Sequence, residues 1–357
     1  MLLFCFACSS SSPSSNTVLE ATVTNQEPET PVELASPIPE ITTPTPSTDT
    51  MHAMEADENA LTRELSGTGI TRVTVQTQDF VFEALVSGPE NGEPVMLLHG
   101  FPSTSYQWRS QLETLGDSGF RAFAPNQRGY SPLARPLGVN AYTYDHLVHD
   151  VFEIADTLGW EQFHLVGHDW GAFVAWAAAG LNPDRVLTLT PISVPHPEAF
   201  AKALADPTGE QAQMSSYMEF FRSDNSENVF LDNDAELLRN IYISAGLSEE
   251  EMEPYLEVLG TPEALGAALN WYRANNFVGD NTDPTVDRRT EIPDASVPTM
   301  FIWRDEDTAL GRQGAELTEF FVSGPYRFEV IEGVNHWVTE VAAEQVSRLL
   351  LDHLGDS

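Results

Sequence analysis

From residue 70 onward, short apolar runs alternate with stretches of helical spacing. Thr71–Gln76 and 80–86 carry β-branched and aromatic residues between turn signals and predict an opening hairpin. Apolar runs at 94–98, 120–124, 163–167 and 186–190 are too short for helices and predict buried strands. Between them, 144–158 and 172–179 repeat their apolar residues at the period of a helix. Strands resume at 299–303 and 327–331, and 338–354 closes as a helix. Buried strands separated by helices predict an α/β fold with a mostly parallel sheet covered on both faces. Residues 195–290 interrupt the alternation. They are helix-rich, Pro-punctuated and aromatic, and predict a helical cap inserted into a core formed by 67–194 and 291–357.

Before residue 67 the pattern is different. Residues 9–66 are rich in Ser, Thr, Pro and Glu without a sustained period, and read as a disordered acidic tether. Residues 1–8 are apolar and hold both cysteines, Cys5 and Cys8. They resemble the end of a bacterial lipoprotein signal, with Ala7-Cys8 as the cleavage and lipidation point, although the positive n-region is missing. The expectation is an exported protein tethered to a membrane through Cys8; a cytoplasmic protein is the alternative. No cysteine follows, so neither a disulfide nor a Cys nucleophile is expected in the folded part.

Charge narrows the function further. The 357 residues include 54 acidic and 17 basic ones, a formal net charge of −37, and Lys202 is the single lysine. Ten acidic residues and one basic fall in 9–66, so about three quarters of the negative charge belongs to the folded part. Nucleic-acid binding is excluded as an expectation, because phosphate neutralisation needs clustered Lys and Arg. The surface is of the kind that keeps halophilic proteins soluble by self-repulsion.

Four fragments carry the chemistry. Gly167-His168-Asp169-Trp170-Gly171 lies between a strand and a helix and has the form of a nucleophile elbow with a carboxylate in the middle. Read blandly, Asp169 is only a helix N-cap. Gly333-Val334-Asn335-His336-Trp337 follows the last strand, where a general base belongs in this arrangement. Asp305, Glu306 and Asp307 follow the preceding strand and compete to orient that histidine. His99-Gly100-Phe101-Pro102 also follows a strand; an oxyanion hole would use the backbone N–H groups of Phe101 and Trp170. No HExxH or clustered-carboxylate motif occurs, so neither a metal nor another cofactor is expected.

These residues, with Arg128-Gly129-Tyr130 and Leu269-Asn270-Trp271-Tyr272-Arg273, make the chain from about 70 to 355 resemble the α/β-hydrolase superfamily. More narrowly it resembles the epoxide hydrolases, with haloalkane dehalogenases as near relatives. The resemblance implies Asp169 as nucleophile, His336 as base and Asp307 as orienting acid. It implies Tyr272, and by a looser match Tyr217, as hydroxyl donors to an opening epoxide. One departure stands out: such proteins usually have Gly where this chain has Arg304.

An aspartate nucleophile suits attack at saturated carbon, giving an alkyl ester on the enzyme, and argues against esterase or peptidase chemistry. A halide leaving group would want N–H donors. Trp170 could supply one, but Phe101 offers none from its side chain. Trp271 or Trp108 would have to substitute. His99, Trp271 and Phe220 are expected to shape the binding region, and the partner to be a small apolar molecule. The readings to be separated are therefore an epoxide hydrolase, a haloalkane dehalogenase and a ligand-binding relative without turnover.

Overall fold

The computed structural model describes residues 68–275 and 292–355. The expectations for residues 1–66, including the lipoprotein signal, Cys8 and the tether, lie outside them, as does the stretch 276–290 of the expected cap. Among the described residues no helix is long and apolar enough to cross a membrane.

Eight strands form one sheet: β1 (Thr71–Gln76), β2 (Val81–Ser87), β3 (Glu93–Leu98), β4 (Phe120–Pro125), β5 (Phe163–His168), β6 (Val186–Ile192), β7 (Thr299–Arg304) and β8 (Tyr326–Ile331). Their spatial order is β1-β2-β4-β3-β5-β6-β7-β8. β2 is antiparallel to both neighbours, and all other pairings are parallel. The expected hairpin and the parallel sheet are both present. Every residue of β5 and β7 is buried, as central strands covered on both faces must be.

Before β6, three helices cover the sheet: α1 (Arg109–Asp117), α2 (Tyr144–Thr157) and α3 (Trp170–Leu181). α1 was not anticipated, because its apolar signal consists of little more than Leu112 and Leu115. α3 is apolar nearly all round, and its run of alanines lets it lie close against β5 and β6.

Between β6 and β7 the described chain is helical: α4 (Pro197–Ala205), α5 (Gln211–Met214), α6 (Tyr217–Arg222), α7 (Ser226–Ser244), α8 (Glu249–Leu259) and α9 (Pro262–Ala274). α7 is interrupted at 232–235, where Asn233, Asp234 and Ala235 have positive φ. Side-chain hydrogen bonds fasten this insertion to the sheet domain. The Tyr242 hydroxyl donates to the Pro102 carbonyl at 2.7 Å. The Tyr255 hydroxyl donates to Glu340 at 2.5 Å, and the Trp271 indole N–H to the Arg128 carbonyl at 2.9 Å.

After β7 come α10 (Arg312–Leu317), α11 (Val338–Val341) and α12 (Ala343–Gly355). The single closing helix expected over 338–354 is thus two helices. The Gln111 side chain explains the break: its amide donates to the carbonyls of Thr339 and Ala343, at 3.0 and 3.4 Å, on either side of it. A side chain inserted into the helical ladder is a recognised cause of a kink.

Arg128 joins several of these parts. Its guanidinium makes a two-pronged pair with Asp150 of α2, at 2.7 and 2.6 Å, in a buried position. Its carbonyl receives Trp271 from the insertion. Removing one partner of a buried ion pair leaves the other charge desolvated and alone. Asp150→Ala is therefore expected to destabilise the protein by about 3–5 kcal/mol. Urea denaturation checks this, and a loss below about 1 kcal/mol would contradict it.

Candidate active site

The carboxyl ends of β3, β5, β7 and β8 meet on one side of the sheet, where ligands bind in open α/β folds. Asp169 stands at the turn from β5 into α3 with φ 53° and ψ −122°. This is a rare conformation for a non-glycine residue, and it persists only where the surroundings enforce it. The neighbours show how. A Cβ on Gly171 would stand 2.1 Å from the Leu98 carbonyl oxygen, and one on Gly167 2.2 Å from the Gly171 carbonyl oxygen. The spacing G-x-D-x-G is therefore a packing requirement. Gly100 is restricted for the same reason, since its Cβ would fall 2.3 Å from that of Asp169.

The two oxygens of Asp169 face different partners. Oδ1 accepts the Phe101 backbone N–H at 2.9 Å, in the loop expected to supply the oxyanion hole. Trp170, the other expected donor, is the first residue of α3, and N–H groups in a first helical turn point outward along the axis. Oδ2 lies 3.5 Å from His336 Nε2. On the far side of the imidazole, Nδ1 is 3.3 Å from Asp307 Oδ2. Asp307 is held in turn by the backbone N–H groups of Ala309 and Leu310 on its Oδ1, at 2.7 and 3.2 Å.

This geometry separates the three competing acids. Asp307 is buried against His336. Asp305 is exposed and accepts the Gly333 N–H at 2.7 Å, steadying the loop that leads to His336. Glu306 is exposed.

Burial alone would raise the Asp169 carboxyl, but His336 and the Phe101 N–H hold it below its ordinary value. Asp307 is likewise pushed up by burial and pulled lower overall by Arg304 and His336. For His336 burial disfavours the charged form, yet Asp307 and Asp169 outweigh it and raise the imidazole to about 9. At neutral pH the resting site is thus an imidazolium between two carboxylates.

A partly open cavity lies over Asp169. Tyr217 from α6 and Tyr272 from α9 line it together with Asp169, among apolar side chains that include Phe173, Phe200 and Met218. Tyr272 is held edge-on to Phe101 and Trp170, at ring separations of 5.5 and 5.0 Å. Burial pushes both phenols up, so both stay protonated and able to donate.

Three other expected residues lie apart from this cavity. His99 is buried, its Nε2 accepting the Gln127 N–H at 3.2 Å, and burial lowers it to about 4, so it is neutral. Its ring packs against Tyr130 at 4.4 Å. Trp271 spends its N–H on Arg128 and lines a separate pocket. Phe220 packs on Phe221 and Phe230 within the insertion.

Sequence reasoning missed Val194, Pro197 and Leu310 as cavity wall. The usable signal was position, since each follows the carboxyl end of a strand. It also treated Arg304 as a mere departure, whereas Arg304 is fully buried beside Asp307 and His336. A charged residue closing the apolar run Thr299–Trp303 was the available sign.

The raised His336 ties stability to pH. Between about pH 6.5 and 9 the folded protein keeps a proton that the unfolded chain releases, so stability falls as pH rises through this window. Thermal melts should show this fall in the parent protein and a flatter curve in His336→Gln. Parallel curves would contradict the assignment.

Comparison with known proteins agrees with this architecture. The family described as alpha/beta hydrolase fold matches residues 93–343. The AB hydrolase superfamily protein YfhM of Bacillus subtilis is 32% identical over 294 residues, covering 80% of this chain and 98% of that protein. Epoxide hydrolase A of Mycobacterium tuberculosis is 32% identical over 310 residues, covering 76% and 93%. Among solved structures, an epoxide hydrolase from hot-environment metagenomes superposes with a TM-score of 0.71 at 29% identity, covering 79% of this chain and 98% of that one. The chain belongs to the α/β-hydrolase family and is an epoxide hydrolase-like member of it.

Proposed function

We propose that the protein hydrolyses a small apolar epoxide to a vicinal diol through an ester on Asp169. The observation that carries this reading is the division of labour around one carboxylate. Oδ1 sits on a backbone N–H, Oδ2 is left toward the cavity and His336, and two protonated tyrosines line the same cavity. The relatives named epoxide hydrolases support it.

In the first step Oδ2 attacks an epoxide carbon. The carbon–oxygen bond breaks, and the departing oxygen takes a proton from Tyr272 or Tyr217. Esterification removes the negative charge of Asp169, one of the groups that favours the imidazolium. His336 is thereby made easier to deprotonate just when a base is required.

In the second step His336 takes a proton from water, and the resulting hydroxide adds to the Asp169 carbonyl carbon. Negative charge develops on Oδ1, where the Phe101 N–H already points. Collapse releases the alcohol with Oδ2, and the imidazolium returns its proton to that oxygen. Between the two steps the imidazolium gives its proton through solvent to the tyrosinate, and after collapse the carboxyl proton left on Asp169 restores the imidazolium, so atoms and charge balance. The negative charge of the folded part disfavours anionic substrates, in keeping with a neutral one.

The dehalogenase reading is weakened by the indoles. Trp271 is committed to Arg128, and Trp108, although its N–H finds no partner among the described residues, does not line the cavity.

Incubation with epoxide and haloalkane panels, followed by peptide mass mapping, tests the proposal. An epoxide adduct on the Asp169 peptide that accumulates in His336→Gln is expected, and Asp169→Ala should lose at least ~10³-fold in kcat. Adducts elsewhere, or turnover surviving Asp169→Ala, would overturn the proposal. Tyr272→Phe should slow epoxide opening by ~10²-fold and spare any haloalkane reaction. Equal losses on both panels would reassign Tyr272 to packing.

A further inference from the structure

Arg304 ends β7 with its guanidinium fully buried inside the catalytic cluster. One terminal nitrogen donates to Ser193 Oγ and the other to Asp307 Oδ2. The second also stands 2.7 Å from His336 Nδ1, closer than Asp307 Oδ2 at 3.3 Å. A guanidinium has donors and no acceptor. Its contact with Nδ1 is a hydrogen bond only when that nitrogen is unprotonated. Asp307, a carboxylate, can bond Nδ1 only when that nitrogen carries a proton. The same ring atom thus has two neighbours that demand opposite states.

The other groups facing His336 are few. Asp169 lies across Nε2 at 3.5 Å. His168, at the end of β5, has its ring 5.0 Å away and its Nε2 at 3.0 Å from the His336 carbonyl. Burial holds His168 neutral, so among the described residues facing His336, Arg304 is the cation.

We propose that Arg304 is a positioning residue for the base: its buried charge opposes the second proton on the imidazole while Asp307 keeps the remaining one on Nδ1, and Arg304 thereby sets the pH above which Nε2 can accept the proton of water. This rests on His336 being the base of the proposed reaction. The directions agree with it, since Arg304 opposes protonation of His336 while Asp307 favours it.

The test uses Arg304→Met, which removes the charge and keeps much of the length, and Arg304→Lys, which keeps the charge. Two quantities are read: the ring titration of His336 by NMR, assigned against His336→Gln, and the pH profile of ester hydrolysis in single turnover. In Arg304→Met both midpoints should move up by about one unit, so that ester hydrolysis on the acid limb falls ~10-fold. In Arg304→Lys both should stay within about 0.3 of the parent. If Arg304→Met does not fold, Arg304→Gln carries the same test. Unmoved midpoints in the neutral variants, or equal shifts in neutral and Lys variants, would overturn the proposal. The NMR titration needs no substrate, so it stands even if no epoxide is turned over, and the two readings fail separately.

Discussion

The structure depends most on one residue held in a conformation it would not choose. Asp169 combines φ 53° with ψ −122°, outside the left-handed helical region that aspartate tolerates, and its side chain makes no capping hydrogen bond. The turn is enforced by β5 on one side, by α3 on the other, and by backbone passing so close that glycine alone fits at 167 and 171. The cost is met by burial of the apolar helix α3 against the sheet. What is gained is direction. The carboxylate projects beyond the strand ends, one oxygen on the Phe101 N–H and the other toward His336.

Around that carboxylate the electrostatics form a balanced set. Two anions, Asp169 and Asp307, flank His336, and one buried cation, Arg304, sits against the imidazole and Asp307. Burial penalises every one of these charges, so each is tolerable only with its partners present. A step that neutralises Asp169 must therefore change the proton affinity of His336. In the proposed reaction this gives a physical reason for a base that rests protonated and becomes available once an ester forms on Asp169.

Much of this was legible in the chain. Short apolar runs read as buried strands because central parallel strands have no polar face, as in Phe163–His168. The elbow was legible because its glycines answer to sterics, which leave a spacing. Asp169 and His336 were found by that spacing and by order along the chain. Residue type does not separate Asp307 from Asp305 and Glu306, and in the chain the resemblance of its loop alone selected it; the geometry adds the reason, since of the three Asp307 is the one buried against His336. Trp271 and His99 were expected nearer the cavity because an aromatic in a motif does not reveal which way its ring points. The break in the closing helix depends on Gln111, more than two hundred residues away in sequence, and local pattern carries no trace of it. Arg304 was visible as an oddity, but its meaning came only from its neighbours.

The central claim is that Asp169 supplies an oxygen to the product. Single turnover in ¹⁸O-labelled water, with excess enzyme, tests it directly by mass spectrometry of the diol and of the Asp169 peptide. A covalent ester predicts a first-turnover diol without label and one labelled oxygen in the Asp169 carboxyl group. Label in the diol from that first turnover, with an unlabelled Asp169 peptide, would mean that water attacks the epoxide directly and would contradict the account.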